Sequence, residues 1–322
     1  MYDVDSNEHI NKVFPNISIA MAVYNGEQFL QEQVDSILRQ TISNFELVIC
    51  DDNSTDGSWA ILQQYANSDS RIRLFRNEHN LGFIKNFEGA ILLCKGNYIA
   101  LSDQDDVWTE NHLELLYKSI GNKSLVCGNA LIVDKDLKSL NMTTRYQQGL
   151  DWIPQDDFNK AKSILFFRNP YFGCLTLFER SLVDRILPIP EGCNYHDSWI
   201  AFIACLNRGI NYIDDIILYY RRTGENVTKL YNTRIHKYRV WRCCLIPEDR
   251  EVFVSSAIKD NRMQLSSRKN SLQRYLFILR KIQALQKYDT FKRRINKLWC
   301  MLFLLKHYNS IYSVSINKRL LF

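Results

Sequence analysis

Up to Asp134, apolar residues come in short unbroken runs, separated by longer stretches in which they recur every three or four positions. The first run, "ISIAMAV" (17–23), predicts a strand buried on both faces, as in a parallel sheet, and "YNGE" ends it. Phe29, Val34, Ile37 and Leu38 then fall on one side of a helix. "FELVIC" (45–50) is a second strand, stopped by "DDNSTDGS", where Ser54, Thr55 or Asp56 can cap a helix through "WAILQQYA". "RIRLF" reads as a third strand, "NLGFIKNFEGAILLC" as a third helix, and "NYIALS" as a fourth strand running into "DQDDVW". Strands alternating with helices of this length need crossover connections, which predicts an α/β fold with an open, mostly parallel sheet.

After "SLVCGNALIVD" (124–134) the periodicity fades. A loop-rich stretch is expected through Trp152 and Pro154 to "NPYFGCLTLFER", then a helix ending near Ile186. "YHDSWIAFIACLNRG" reads as a helix with Trp199, Ile200, Ile203 and Ala204 on one side, and "INYIDDIILYYRR" as a last strand. The expected division is residues 1–230 for the α/β domain and 231–322 for a helical, basic extension.

Ligands of open α/β sheets bind at the carboxyl ends of the strands. Three such ends here are polar or acidic: Tyr24 with Asn25, Asp51 with Asp52, and the cluster Asp103, Asp105 and Asp106. Carboxylates this close repel and raise one another's pKa, so the last cluster calls for a compensating cation or hydrogen bonds. The dinucleotide-binding pattern GxGxxG is absent after the first strand, where the chain reads "YNGEQF", and no Walker motif occurs. A bound phosphate would therefore be neutralised by a metal on carboxylates, in the manner of Mg²⁺ or Mn²⁺.

The net charge of +6 hides an asymmetry: from Lys259 onward 15 Lys and Arg face only Asp260 and Asp289, about +13, which leaves about −7 before it. Within the tail, Leu272, Tyr275, Leu276, Leu279, Ile282 and Leu285 fall on one helical face, and Arg274, Arg280, Lys281 and Lys287 on the other. Such a helix suits peripheral contact with an anionic membrane, or packing on its own domain or on a second copy in a homo-oligomer. No nucleic-acid-binding motif accompanies the charge. "MYDVDSNEHI" cannot serve as a secretory signal, and "LWCMLFLL" (298–305) is far short of the ~20 residues of a membrane span, so a cytoplasmic location is expected, with membrane contact at its inner face. The nine cysteines show neither CxxC nor Cys/His zinc spacing and read as small buried hydrophobes.

Taken in order, "ISIAMAVYNGEQFLQEQVDSILRQT", "FELVICDDNSTDGS", "NLG" and "LSDQDDVW" resemble the signatures of the family 2 inverting glycosyltransferases, which have the GT-A fold. The variant with "DQDDVW" and a later "HDSW" is similar to bacterial rhamnosyltransferase-like enzymes that build surface polysaccharide such as O-antigen or capsule. The resemblance covers about residues 15–230. It implies transfer of a sugar from a nucleotide diphosphate donor, dTDP-rhamnose or UDP-hexose, to a glycan or lipid-linked acceptor. By position it puts Ala22, Tyr24 and Asn25 around the base and ribose, with Asp52 or Asp51 accepting from the base. Asp103, Gln104 and Asp105 correspond to the DxD motif, Asp105 ligating Mn²⁺ or Mg²⁺ directly and Asp103 facing the ribose or the metal. Asp197 becomes the base, and His196 a packing partner. Where relatives often carry a histidine after the last strand, this chain has Thr223, so Arg221 and Arg222 are the expected diphosphate contacts. Two rivals stand beside this reading. A nucleotidyltransferase would need a basic glycine-rich loop that "AVYNGEQF" lacks, and an inactive scaffold is disfavoured by the intact Asp103, Asp105 and Asp197.

Overall fold

The computed structural model describes residues 16–145, 155–166, 169–224, 226, 250–259 and 269–286. Four parallel strands form one half of the sheet: β1 (Ile17–Val23), β2 (Phe45–Asp51), β3 (Ile72–Arg76) and β4 (Tyr98–Ser102), in the order β3-β2-β1-β4. Their connections carry helices α1 (Leu30–Leu38), α2 (Ser58–Ser68) and α3 (Phe83–Leu93). The apolar runs are as buried as the pattern predicts, with all seven residues of β2 inside. Strand order reverses between β1 and β4, so their carboxyl ends flank the crevice where such sheets bind ligands.

Beyond β4 the sheet becomes mixed. β5 (Val107–Trp108) and α4 (His112–Ser119) precede the long β6 (Leu125–Asp134), which pairs with β7 (Ser139–Thr143). After α5 (Asp157–Phe166), a short turn at Gly173–Leu175 leads into β8 (Thr176–Glu179), which lies antiparallel between β4 and β6. α6 (Val183–Ile186) and α7 (His196–Leu206) follow, then β9 (Ile210–Arg222), parallel to β6 and antiparallel to β5. The fold class is thus the expected α/β sheet flanked by helices, but β5, β7, β8 and α5 fall where only loops were expected. β8 is four residues long and gains its strand character from the neighbours it joins.

In the tail, the structure describes α8 (Arg250–Lys259) and α9 (Lys269–Gln286). Phe253 is buried with its ring 5.5 Å from Trp199 and 5.8 Å from Phe202, and Tyr275 lies 6.2 Å from Phe158. Leu272 and Tyr275 therefore spend their side of the expected amphipathic face on the protein's own domain. The side chains of Leu279, Ile282, Leu285 and Lys281, and the whole of Lys287, lie outside the described residues, as does Trp152. Among the described residues no helix is long and apolar enough to cross a membrane.

One side chain fixes the acidic loop after β4. Arg221, 2% exposed, donates from Nε to the Asp105 carbonyl (2.8 Å), from one terminal nitrogen to the Lys135 carbonyl (2.6 Å), and from the other to the Glu32 carboxylate. Its guanidinium carbon lies 4.6 Å over the Phe29 ring, and its backbone N–H donates to Asp106 Oδ1 (3.0 Å). One planar fork thus ties α1, the acidic loop and the far end of β6 together, a geometry that a lysine ammonium cannot reproduce. Arg221→Lys is expected to cost about 2 kcal/mol or more, because buried acceptors lose charged donors worth roughly 1.5–3 kcal/mol each. Chemical denaturation of the two proteins checks this, and equal midpoints would show that Arg221 is no brace.

Candidate active site

The loops after β1 and β2 are sewn to each other. Asn25 and Asn53 turn the chain with positive φ (49° and 60°), a conformation asparagine tolerates better than most residues. The Asn25 N–H donates to Ser54 Oγ (3.0 Å), and Asn25 Oδ1 accepts from the Thr55 N–H (2.8 Å). Gly26 N–H donates to Ser58 Oγ (2.8 Å), while Glu27 and Asp56 exchange bonds with the facing backbone. Only Asp56, through its bond to the Ser58 N–H, serves the start of α2. Ser54 and Thr55, the other expected caps, join the loops instead.

The expected donor residues divide by exposure. Tyr24 and Asn25 are exposed and Ala22 is half-buried, so they face the crevice mouth. Asp51 is fully buried, its Oδ2 accepting from the Ser54 N–H (3.1 Å) and paired with Arg76 (3.2 Å). Asp52 is also buried. It accepts from Asn77 Nδ2 (2.7 Å) and from the N–H groups of Leu81 (2.8 Å) and Gly82 (2.9 Å), so it anchors the segment before α3. Gln104 clamps β4 to β1: its amide oxygen accepts from the Tyr24 N–H (2.8 Å) and its nitrogen donates to the Tyr24 carbonyl (3.0 Å). Gly26 lies beneath that clamp, where a Cβ would come 2.7 Å from the Gln104 side chain.

Asp105 and Asp197 lie near enough for their charges to act on Asp103, at the carboxyl end of β4. Burial, then the charges of Asp105 and Asp197, push the Asp103 carboxyl up to about 7. Burial also raises Asp105, against the pull of Arg221 and Arg222. Asp197, in the first turn of α7, is raised to about 6 by burial, opposed by bonds from Ser198, the charge of Arg250 and the Gly173 backbone. Asp106 is fully buried and raised well above the usual carboxylate range, by burial and then by Asp105 and Asp103. Negative charge so concentrated in a desolvated cleft is what a divalent cation relieves, and oxygen donors are the ligands that Mg²⁺ and Mn²⁺ prefer. The residues therefore fit such an ion.

Arg221 is committed to the brace described above, which leaves Arg222, half-buried with its guanidinium 5.9 Å from the Tyr220 ring, as the arginine nearer solvent. Thr223 and Asn226 bond each other just beyond. His196 is buried, stacked on Phe87 at 4.1 Å and lowered to about 3 by burial, so it is a neutral packing ring. Sequence reasoning missed two contributors. Glu32 meets Arg221 from α1, and Cys174, in the turn before β8, brings its sulfur within 4.8 Å of carboxylate oxygens of Asp103 and Asp106. Neither carried a spacing signal, because each meets its partners only through the sheet.

The family described as Glycosyl transferase family 2 matches residues 18–187, just over half of the chain. Glycosyltransferase GlyG of Streptococcus pneumoniae is 36% identical over 220 residues, 65% of this chain and 72% of that protein. A UDP-Glc:alpha-D-GlcNAc-diphosphoundecaprenol beta-1,3-glucosyltransferase of Escherichia coli, WfgD, is 35% identical over 122 residues, 37% of this chain and 47% of that one. The crystal structure of S. aureus TarS 1-349 in complex with UDP-GlcNAc superposes with a TM-score of 0.58 at 18% identity, covering 89% of this chain and 80% of that one, a likeness of fold. With the matched segment spanning β1 through α6 and both acidic strand ends, the chain belongs to glycosyl transferase family 2.

Proposed function

We propose that the protein is an inverting glycosyltransferase that moves a sugar from a pyrimidine nucleoside diphosphate to a lipid-linked glycan acceptor in surface-polysaccharide synthesis. The observation that carries this reading is the convergence of Asp197 with Asp103 and Asp105 in one cleft at the switch in strand order. The donor and acceptor of WfgD, UDP-Glc and an undecaprenol-linked sugar, support the donor and acceptor class. The likeness to rhamnosyltransferase-like sequences supports dTDP-rhamnose within the same pyrimidine class.

Each residue has a separate task. Tyr24, Asn25 and Ala22 receive the base and ribose on a floor shaped by Asp51 and Asp52, and Gln104 holds the two strand ends at a fixed spacing. Asp105 and Asp103 would hold Mn²⁺ or Mg²⁺, which supplies charge neutralisation for the departing diphosphate. Arg222 adds a cation at the cleft's edge. The acceptor oxygen attacks the anomeric carbon from the face opposite the leaving group, forming one C–O bond as the C–O bond to the diphosphate breaks. The ionised Asp197 carboxylate takes the hydroxyl proton. His196 cannot do this in its place, since its ring lies packed on Phe87. The basic tail would lie near the membrane that carries the acceptor.

Asp197→Asn is expected to lower kcat by roughly 10²–10⁴, the usual worth of general-base help, while the donor dissociation constant stays within about twofold. Steady-state kinetics with donor titration checks this, and undiminished turnover removes Asp197 from the role. A second expectation concerns pH. Asp103 and Asp197 bind protons more tightly folded than unfolded, so their contribution to the stability of the metal-free chain falls as pH rises from about 4 to about 7. A divalent ion competes with those protons, so Mn²⁺ should raise the unfolding temperature more at pH 7.5 than at pH 5. Thermal melts of wild type and Asp105→Asn, with and without Mn²⁺ and UDP, check it. An equal shift at both pH values, or in the variant, counts against the ion site.

A further inference from the structure

Cys174 lines the floor of the cleft yet has no task in glycosyl transfer. Its sulfur and one carboxylate oxygen from each of Asp103 and Asp106 all lie within 4.8 Å of one another. Cys174 is 2% exposed and Asp106 is fully buried, while half-buried Asp103 opens the group to the cleft. Asp106 supplies an independent sign. Its Oδ1 accepts from the Arg221 N–H (3.0 Å), but its buried Oδ2 has no hydrogen bond of normal geometry among the described residues. What faces the carboxyl group there is the Cys174 thiol, a weak donor. A buried carboxylate oxygen left this way is costly, and a cation would satisfy it.

The donor set decides which cation. Two carboxylate oxygens and a thiolate are three ligands of the kind zinc accepts, and water or substrate would supply a fourth. Mg²⁺ does not take sulfur, and Mn²⁺ prefers oxygen. Asp105, the residue expected to hold the hard ion, is outside this group. We propose that Asp103, Asp106 and Cys174 form a site for a thiophilic divalent cation of the zinc class, and that an ion seated there inhibits transfer by withdrawing Asp103 from the donor. The inhibition rests on the function proposed above; the binding does not. On binding, the S–H bond breaks, a Zn–S bond forms, and the thiol proton leaves to solvent together with any proton held by the Asp103 and Asp106 carboxyl groups, without oxidation or reduction. The ion's two positive charges meet up to three negative ones, which offsets the burial and the carboxylate repulsion that otherwise keep the thiol protonated.

The test uses the full-length, metal-free chain. Cadmium titration, followed by the thiolate-to-metal charge-transfer band, should show a component in wild type that disappears in Cys174→Ser and weakens in Asp106→Asn. Zinc-loaded wild type, which needs no variant to fold, should show one sulfur at about 2.3 Å and oxygens at about 2.0–2.2 Å by X-ray absorption. With Mn²⁺ present, zinc should inhibit wild type at least ~10-fold more potently than Cys174→Ala or Cys174→Ser, each referred to its own zinc-free rate. An identical cadmium band in wild type and Cys174→Ser, or a zinc shell without sulfur, overturns the site. Binding with undiminished turnover overturns the inhibition alone. Absence of turnover with every pyrimidine sugar donor removes the glycosyl-transfer reading, while the two spectroscopic measurements still decide the site.

Discussion

Repulsion among carboxylates at the end of β4 is the constraint around which the rest of the molecule is organised. Two unit charges about 4 Å apart interact by roughly 4 kcal/mol at an effective dielectric of about 20, several times the net worth of an ordinary hydrogen bond. No single contact offsets that. The chain divides the load: burial shifts Asp103 and Asp106 toward their neutral forms, Gln104 locks the loop to Tyr24, and Arg221 places its charge behind the loop, on the Asp105 carbonyl. Arg221 thus holds from behind the loop that carries the three acids.

This division explains why two adjacent arginines differ so much. "YYRR" offers no local reason to separate Arg221 from Arg222, since both end an apolar strand. The difference arises across the sheet, where Lys135, Glu32 and Asp105 converge on one guanidinium from β6, α1 and the acidic loop. A fork that donates to three acceptors is no longer free to grip a phosphate. Of the two arginines expected to contact the diphosphate, Arg221 is therefore the one that builds the loop, and Arg222 is the one for which that contact is proposed.

What the sequence made legible follows the same rule. β1, β2 and β4 could be read because parallel strands buried on both faces are near-continuous apolar runs, and because polar residues cap each at the crevice, while the half-exposed edge strand β3 could be read from its place in the alternation. β8 could not, for "TLFE" is too short to declare a period and adjoins residues that turn helical at once. The site was legible where its residues came as motifs, as with Asp103, Asp105 and Asp197. It was illegible where it was assembled by topology. Cys174 reaches Asp103 only because β8 inserts between β4 and β6, and scattered cysteines without metal spacing gave no reason to single it out.

The tail meets the helix that carries Asp197 through packing as well as charge. α7 carries Asp197 in its first turn and is buried along its whole length apart from that residue. On one side, Gly173 approaches so closely that a Cβ there would lie 3.1 Å from His196 Nε2 and 3.5 Å from the Asp197 Cβ. On another, Phe253 of α8 wedges against Trp199 and Phe202, and the Arg250 charge favours the ionised form of Asp197. Asp197 is thus held between the turn that precedes β8 and α8. For the role proposed for Asp197, where a misplacement of about 1 Å can cost a hundredfold in rate, this packing would shape turnover without touching substrate. Leu272 and Tyr275, from the apolar half of the amphipathic pattern, are buried against the protein's own domain, so at these two positions the helix has no apolar surface to offer a partner.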